Sequence, residues 1–164
     1  MLEERPLLRG GQASAPFDGD GLPTADRDVI CQGILQGYFL SVYTARKLGM
    51  APTANGGGSH NLCLRDTRGG HADLAALMKT MGRGLLITEL LGQGVNYVNG
   101  DYSRGAAGFW IEQGEIVYPV EEITIAGNLK DMLKGITAIA DDRLARSAKQ
   151  SGAILIDRMM VAGA

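Results

Sequence analysis

The chain has 164 residues, of which 45% are hydrophobic and 21% charged, and this composition is typical of one globular domain with its own apolar core. Sixteen basic residues nearly balance eighteen acidic ones, which argues against direct binding to nucleic acid or to an anionic membrane surface. Because neither a membrane-spanning run nor an N-terminal signal sequence is visible, we expect a cytoplasmic protein. Cys31 and Cys63 form no CxxC pair and indicate neither a disulfide framework nor a thiolate zinc site.

The first part of the chain predicts a lead-in followed by strands. Residues 1–25 contain three of the five prolines and several glycines, and they predict an irregular lead-in before a domain over residues 26–164. Two short apolar runs, 28–32 and 34–40, are split by Gly33 and predict two strands joined by a turn.

Two helices are predicted around a glycine-rich loop. Residues 41–48 favour a short helix that ends at Gly49, because cations in the last turn and a following glycine are typical of helix C termini. After the loop, residues 61–65 predict a strand. A second helix is predicted by apolar side chains spaced to lie on one helix face, namely Leu74, Leu77, Met78 and Met81.

The second half of the chain carries hairpin signals. Residues 85–91 form an apolar run that predicts a buried strand. The pairs Asn99-Gly100 and Gln113-Gly114 each predict a two-residue type I′ turn, because both turn positions need a positive φ. Residues 123–125 predict a further short strand.

The last part of the chain predicts one helix and two closing strands. Asn128 is a typical N-cap, and the apolar face that follows it predicts a helix reaching Ile139. Residues 141–149 predict a connector, whereas 153–156 and 159–162 predict strands. These elements together predict an α+β fold, an antiparallel β-rich domain with hairpins and two to three helices packed on the sheet.

The glycine-rich loop and the histidines are the first candidates for chemistry. His60 and His71 lack the i, i+4 spacing with an intervening glutamate that zinc hydrolases use, so we interpret both as ordinary loop histidines. The loop could cradle an anion with its backbone amides, or it could simply turn tightly, and it lacks the ending of a P-loop. The loop candidates are Asn55, Gly56, Gly57, Gly58, Ser59 and His60.

Isolated polar residues offer weaker signals. Ser103 is a formal nucleophile, but with two histidines in the chain few activating bases exist, so a turn or interface element is favoured. Glu89 could act as an acid or base inside its apolar run, although a salt bridge or an exposed edge position is favoured. Glu121 and Glu122 are interpreted as a solvated turn.

Longer strings resemble a known family. The segment 84–110, which contains Thr88-Glu-Leu-Leu-Gly-Gln and Gly100-Asp-Tyr-Ser-Arg-Gly, closely resembles the TldD/PmbA family and specifically its PmbA (TldE) branch. The segment 122–132 continues this similarity toward the predicted last helix. Residues 43–49 and the Ser-His-Asn that follows the glycine loop resemble the family as well, so the similarity spans residues 15–163.

The resemblance implies that this chain is a C-terminal portion, because family members carry an N-terminal α/β region before it. In the family, the TldD branch holds zinc with an HExxxH motif and a later cysteine, and it forms a peptidase with the PmbA branch, which lacks that motif. Where the late Cys-Gly would stand, this chain has Ser151-Gly152, a degenerate metal-ligand position, since a hydroxyl is a weaker zinc ligand than a thiolate. The resemblance thus implies no cofactor in this chain and zinc in a TldD-type partner.

The function implied by the resemblance is that of a non-catalytic subunit, which with a TldD-type partner forms a metallopeptidase for peptides or unfolded segments. We expect the peptide to add as a strand to a free sheet edge near the hairpins. The interface or substrate-strand candidates are Gln93, Gly94, Asp101, Tyr102, Ser103 and Arg104. For the glycines, conformationally demanding turns are an equal explanation.

Two other functions stay open. One is a regulatory module of the DNA gyrase modulator type, which would contact a protein partner and not DNA. The other is an independent hydrolase that uses Ser103 or an anion bound at residues 55–59. Association of the chain with further copies of itself also stays open.

Overall fold

The computed structural model describes residues 1–163, which divide into two compact units. Unit 1 consists of Met1–Gly69 and Asp141–Gly152. Unit 2 consists of Gly70–Ala140 and the described residues from Ala153 onward. Each unit has its own β-sheet, and none of the helices in the described part of the chain is long and apolar enough to cross a bilayer.

The regular elements follow one another along the chain as short strands with three helices between them. In chain order they are β1 (Leu2–Glu4), β2 (Arg27–Cys31), β3 (Ile34–Leu35), α1 (Val42–Leu48), β4 (Leu62–Leu64), α2 (Leu74–Met81), β5 (Gly84–Leu91), β6 (Asp101–Glu112), β7 (Glu115–Asn128), α3 (Leu129–Lys134), β8 (Ile136–Ile139), β9 (Lys149–Ser151), β10 (Ile154–Ile156) and β11 (Met160–Ala162). The predicted α+β class is confirmed.

Unit 1 is built on a five-stranded sheet in the order β3-β2-β1-β4-β9. All pairs are antiparallel except β4 and β9, which run parallel. Strand β1 lies at the centre of this sheet, so the prediction that residues 1–25 are irregular is wrong for Leu2–Glu4. The prolines and glycines behind that prediction all follow β1, and three residues are too few to show a periodic pattern.

Local signals in unit 1 are confirmed at the turn and at the helix. Gln32 and Gly33 both have a positive φ and join β2 to β3, although the second strand ends at Leu35 and not at residue 40. Helix α1 begins after Ser41, whose side chain accepts a hydrogen bond from the Thr44 N–H. It ends at Gly49, which has a left-handed φ of 64°.

Unit 2 contains a four-stranded antiparallel sheet in the order β11-β7-β6-β5. Strands β6 and β7 form a long hairpin closed by Gln113 and Gly114, both at positive φ, as predicted. Strand β7 is continuous, so the separate strand predicted at 123–125 belongs to it. The predicted turn at Glu121 and Glu122 is also wrong, since both residues lie within β7, where Glu122 adopts a φ of 57° at a register shift.

The turn before β6 differs from the prediction. Only Gly100 of the pair Asn99-Gly100 has a positive φ, so the pair does not form a type I′ turn. The Asn96 side-chain oxygen accepts the Val98 N–H, and the Asn99 side-chain oxygen accepts the Asp101 N–H. These side-chain bonds shape a wider turn, because asparagine can replace a backbone acceptor in such loops.

The helix predicted after Asn128 is shorter than expected. Asn128 caps α3 as predicted, but the helix ends at Lys134, and the residues from Ile136 to Ile139 form β8. Gly135 interrupts the helical run, and three β-branched residues follow it, which favours an extended strand. Strand β8 pairs with β10 in a separate two-stranded sheet.

Two buried clusters form the core of unit 2. One contains Leu77 of α2 with Ala138 and Ala140, and the other contains Ala106, Ile123 and Ile125 of the large sheet. The predicted burial of the strand at 85–91 is wrong, because β5 is an edge strand and its residues 88–91 are exposed.

Candidate functional site

In unit 1, the glycine-rich loop folds over the carboxylate of Glu4, which is only 1% exposed. Its Oε1 accepts hydrogen bonds from Asn55 Nδ2 at 2.8 Å and the His60 N–H at 2.9 Å, and Oε2 accepts Arg27 Nε at 2.7 Å. Burial alone would raise the pKa of Glu4, but these donors and the positive charge of Arg27 outweigh it and hold the pKa below its ordinary value. Glu4 therefore remains an anion inside the unit.

A second buried carboxylate, Asp18, holds the other side of the loop. Its Oδ2 accepts the Gly56 N–H at 2.7 Å, and its Oδ1 accepts the N–H groups of Asp20 and Leu22. Burial would raise the pKa of Asp18, but the three backbone donors lower it below its ordinary value. The Gly58 N–H also donates within the loop. These amides serve the chain's own acceptors, which favours a structural role for the loop over an anion cradle.

The polar contacts between the glycine-rich loop and Glu4 were not predicted from the sequence. His60 is a buried histidine whose Nδ1 lies 3.3 Å from Glu4, whereas His71 is half-buried and its Nε2 lies 3.0 Å from Thr80 Oγ1. Glu4 lies in a segment expected to be irregular, and its partners Arg27 and Asn55 are distant in sequence. No local pattern could have indicated this cluster.

Unit 2 has an apolar groove of about 960 Å³ along the inner face of its large sheet. The inner face is the face of the sheet that carries the buried side chains of β6 and β7. The groove is lined by α2, β5, β6, β7 and the segment 153–161. Its lining side chains include Leu85, Leu90, Tyr102, Ile125 and Met159.

Strand β5 borders this groove and forms one edge of the sheet. It pairs with β6 on one side, and no strand within residues 1–163 pairs with its other side. Leu90 and Leu91 are 41% and 52% exposed at this edge. An exposed, apolar edge of this kind can accept an extended chain as an added strand. Glu89 is exposed here too, which is the edge position that the sequence favoured.

The predicted interface residues come together at the start of β6. Gln93 and Gly94 lie in the connection before it, and the Ser103 N–H donates to the Gly94 carbonyl at 2.7 Å. A Cβ on Gly94 would lie 1.6 Å from the Ser103 carbonyl oxygen, so only glycine fits there. Close approach of two backbone segments explains Gly94 without any ligand, whereas Gln93 is exposed.

The side chains of Asp101 and Ser103 differ in their surroundings. The Asp101 carboxylate accepts hydrogen bonds from Asn99 Nδ2 and Asn128 Nδ2 and so fixes the turn. Ser103 is exposed, and within residues 1–163 its hydroxyl bonds no histidine or carboxylate. A serine nucleophile needs a base within hydrogen-bond reach, and no such base contacts Ser103 in the described part of the chain.

The donor set of this chain does not fit zinc. Among residues 1–163, no three His, Cys, Asp or Glu side chains lie together so that they could hold a metal ion. Ser151 is exposed at the end of β9, opposite Leu64 of β4, and offers only a hydroxyl.

Comparisons with known proteins identify a family, related sequences and related structures. A protein-family model, described as the PmbA/TldA metallopeptidase C-terminal domain, matches residues 1–163. The metalloprotease PmbA homolog of Haemophilus influenzae is 52% identical over 99% of this chain, and the chain spans 36% of that relative's length. The metalloprotease TldD homolog of the same organism is 27% identical over 82% of the chain, which covers 30% of that protein. A solved structure from Thermotoga maritima MSB8, named as a modulator of a DNA gyrase, is 36% identical with a TM-score of 0.86, and the match covers 98% of this chain and 38% of that one.

Proposed function

The chain belongs to the PmbA/TldD metallopeptidase family, as a C-terminal domain of the PmbA type, and we propose that it acts as a non-catalytic subunit of a TldD-type zinc metallopeptidase. In this proposal the TldD-type partner holds the zinc, and the two proteins together act in the cytoplasm on peptides or unfolded segments. One observation carries the proposal. The chain is 52% identical to a PmbA homolog over 99% of its length, and it has Ser151 where the resemblance places the late zinc-binding cysteine.

The partner is proposed from the pair of relatives in one organism. Haemophilus influenzae has both a PmbA homolog and a TldD homolog, and this chain is far more similar to the first. In this proposal the two related proteins have different roles. The TldD-type protein binds the metal, and the PmbA-type protein forms one wall of the substrate site.

The substrate class is proposed from the free edge of β5. An extended or unfolded peptide has unpaired backbone N–H and C=O groups, which can pair with an edge strand whatever the side chains are. A folded protein offers such groups only at its own free sheet edges. Beside this edge, the apolar groove would receive alternate side chains of the added strand, since these point to one face of the sheet.

The test combines the purified protein with a TldD-type partner. Size-exclusion chromatography with light scattering measures the complex, and cleavage of unfolded casein is followed with and without a chelator. We expect a complex whose cleavage is at least tenfold faster than that of either protein alone and is abolished by the chelator. The control is a partner whose HExxxH glutamate is replaced by glutamine, which should form the complex but cleave nothing.

Other outcomes separate the alternatives. A complex without any cleavage would support a regulatory module of the gyrase modulator type, a function that the name of the Thermotoga maritima protein suggests for that protein. Cleavage by the chain alone that resists the chelator and is lost in Ser103→Ala would support the independent hydrolase. Either result would overturn the proposal.

A further inference from the structure

The side chain of Arg104 lies on the inner face of the large sheet of unit 2. Residues two apart in a strand share a face; Ala106 belongs to the buried cluster on that face, and Tyr102 packs against this cluster. No register shift separates these three positions. Arg104 stands opposite Ile125 of β7, and its Nη2 donates to the Leu90 carbonyl at 3.4 Å. Three of these neighbours, Tyr102, Ile125 and Leu90, line the apolar groove.

The guanidinium of Arg104 is incompletely satisfied. Its Nε is buried and has no acceptor within residues 1–163, and its one hydrogen bond to Leu90 is long. Buried donors nearly always have partners, because an unmet donor loses its hydration without compensation. No carboxylate of the described chain pairs with this cation.

Arg83, which lines the groove, has different surroundings. Arg83 packs over the Trp110 ring, with its Cζ 5.4 Å from the ring centroid. It also lies 4.0 Å from Glu112. Both interactions occupy its planar face and one of its nitrogens. Arg104 differs from Arg83, because within residues 1–163 its guanidinium carries a buried donor without an acceptor.

We propose that Arg104 binds a carboxylate of a peptide that lies in the apolar groove beside β5. This inference rests on the proposed function, in which the groove receives an extended peptide. A carboxylate matches the two-pronged geometry of a guanidinium, and such a pair is stronger in a partly buried apolar site than in water. The preferred ligand is a peptide with apolar side chains and one carboxylate, supplied either by its C terminus or by an acidic side chain.

The test measures peptide binding to this protein without any partner. Fluorescence anisotropy compares three labelled hexapeptides of alternating leucine and alanine. The first has a free C-terminal carboxylate, the second a C-terminal amide, and the third an amide with one central glutamate. The wild type should bind a carboxylate-bearing peptide about 10- to 100-fold more tightly than the plain amide, as expected for a hydrogen-bonded charged pair. The peptide with the greater gain identifies the source of the carboxylate.

Two variants and one control make the test specific. Arg104→Met should remove the preference for the carboxylate but leave binding of the plain amide unchanged, because the methionine retains apolar contact with the groove. Arg104→Lys should restore only part of the preference, since an ammonium lacks the planar fork. Arg9→Met removes the same charge from an exposed site in unit 1 and should bind as the wild type does.

The inference fails if the wild type binds all three peptides equally or binds none. It also fails if Arg104→Met weakens the amide as much as the carboxylate peptides, because Arg104 would then only support the fold. Thermal unfolding followed by circular dichroism identifies a variant that does not fold, and the wild-type comparison of the three peptides remains decisive in that case. Since no partner is present, these failures are distinct from absence of the peptidase complex.

Discussion

Replacement of Glu4 is the most direct test of the polar cluster in unit 1. Glu4→Ala leaves Arg27 Nε, Asn55 Nδ2 and the His60 N–H without the acceptor that they reach at 2.7, 2.8 and 2.9 Å. Removal of one partner from a buried ion pair costs about 3–5 kcal/mol. Because the Arg27 side chain is 21% exposed and can recover some hydration, we expect about 3 kcal/mol of lost stability. Glu4→Gln keeps one acceptor oxygen and should cost about 1–2 kcal/mol.

The same carboxylate should make stability depend on pH. In the folded chain the pKa of Glu4 lies below its ordinary value of 4.5, which also approximates the unfolded chain. The stabilisation is therefore complete above the unfolded pKa and is lost as the pH falls through the folded pKa. The difference in stability between the wild type and Glu4→Gln should be full at neutral pH and should shrink in strong acid.

Urea unfolding followed by far-ultraviolet circular dichroism measures these differences at neutral pH and at about pH 3. The control is Glu121→Gln, which removes an exposed carboxylate from β7 and should stay within about 0.5 kcal/mol of the wild type. Our reasoning is refuted if Glu4→Ala unfolds like the control at neutral pH. It is refuted as well if the effect of Glu4→Gln does not change in acid.

Two further predictions concern single contacts. Gly94→Ala should cost about 3 kcal/mol in urea unfolding, because its Cβ would meet the Ser103 carbonyl, whereas Gly37→Ala, whose nearest contact is 3.6 Å, should be neutral. Equal stability of both variants would contradict the close approach at Gly94. In nuclear magnetic resonance titration, the hydrogen-bonded Arg68 guanidinium should hold the pKa of Asp66 at about 2, and Arg68→Met should return it toward 3.8. A wild-type pKa near 3.8 would show that this pair does not form in solution.

Turns and helix ends were predictable from sequence because their causes are local. Gln113-Gly114 closes its hairpin, Gly49 ends α1, and Asn128 caps α3, each through the conformational preference of a few adjacent residues. Pairing between distant segments was not predictable in this way. Strand β1 is extended because β2 and β4 flank it, and β8 is a strand because β10 pairs with it.

The candidate site was predictable only as far as the family resemblance and local spacing reach. Gly94 and Ser103 are adjacent because the chain reverses between them, as the sequence predicted. The turn is wider than the predicted type I′ turn. The exposed edge of β5 was hidden by its apolar residues, which also suit a buried strand. The burial of Glu4 was not predicted because it arises from segments far along the chain. Strand β1 has only three residues, which are too few to show a hydrophobic pattern.

The interleaving of the two units has a consequence for how the protein is made. The chain leaves unit 1 after Gly69, returns to it at Asp141 and enters unit 2 again at Ala153. Strand β9 must find β4, and β11 must find β7, so each large sheet lacks an edge strand until a later segment of the chain has been synthesised. A ribosome that has translated through β8 presents two sheets that each lack an edge strand. Neither unit can therefore complete its sheet from one continuous segment, and neither can be obtained by a single truncation of the gene.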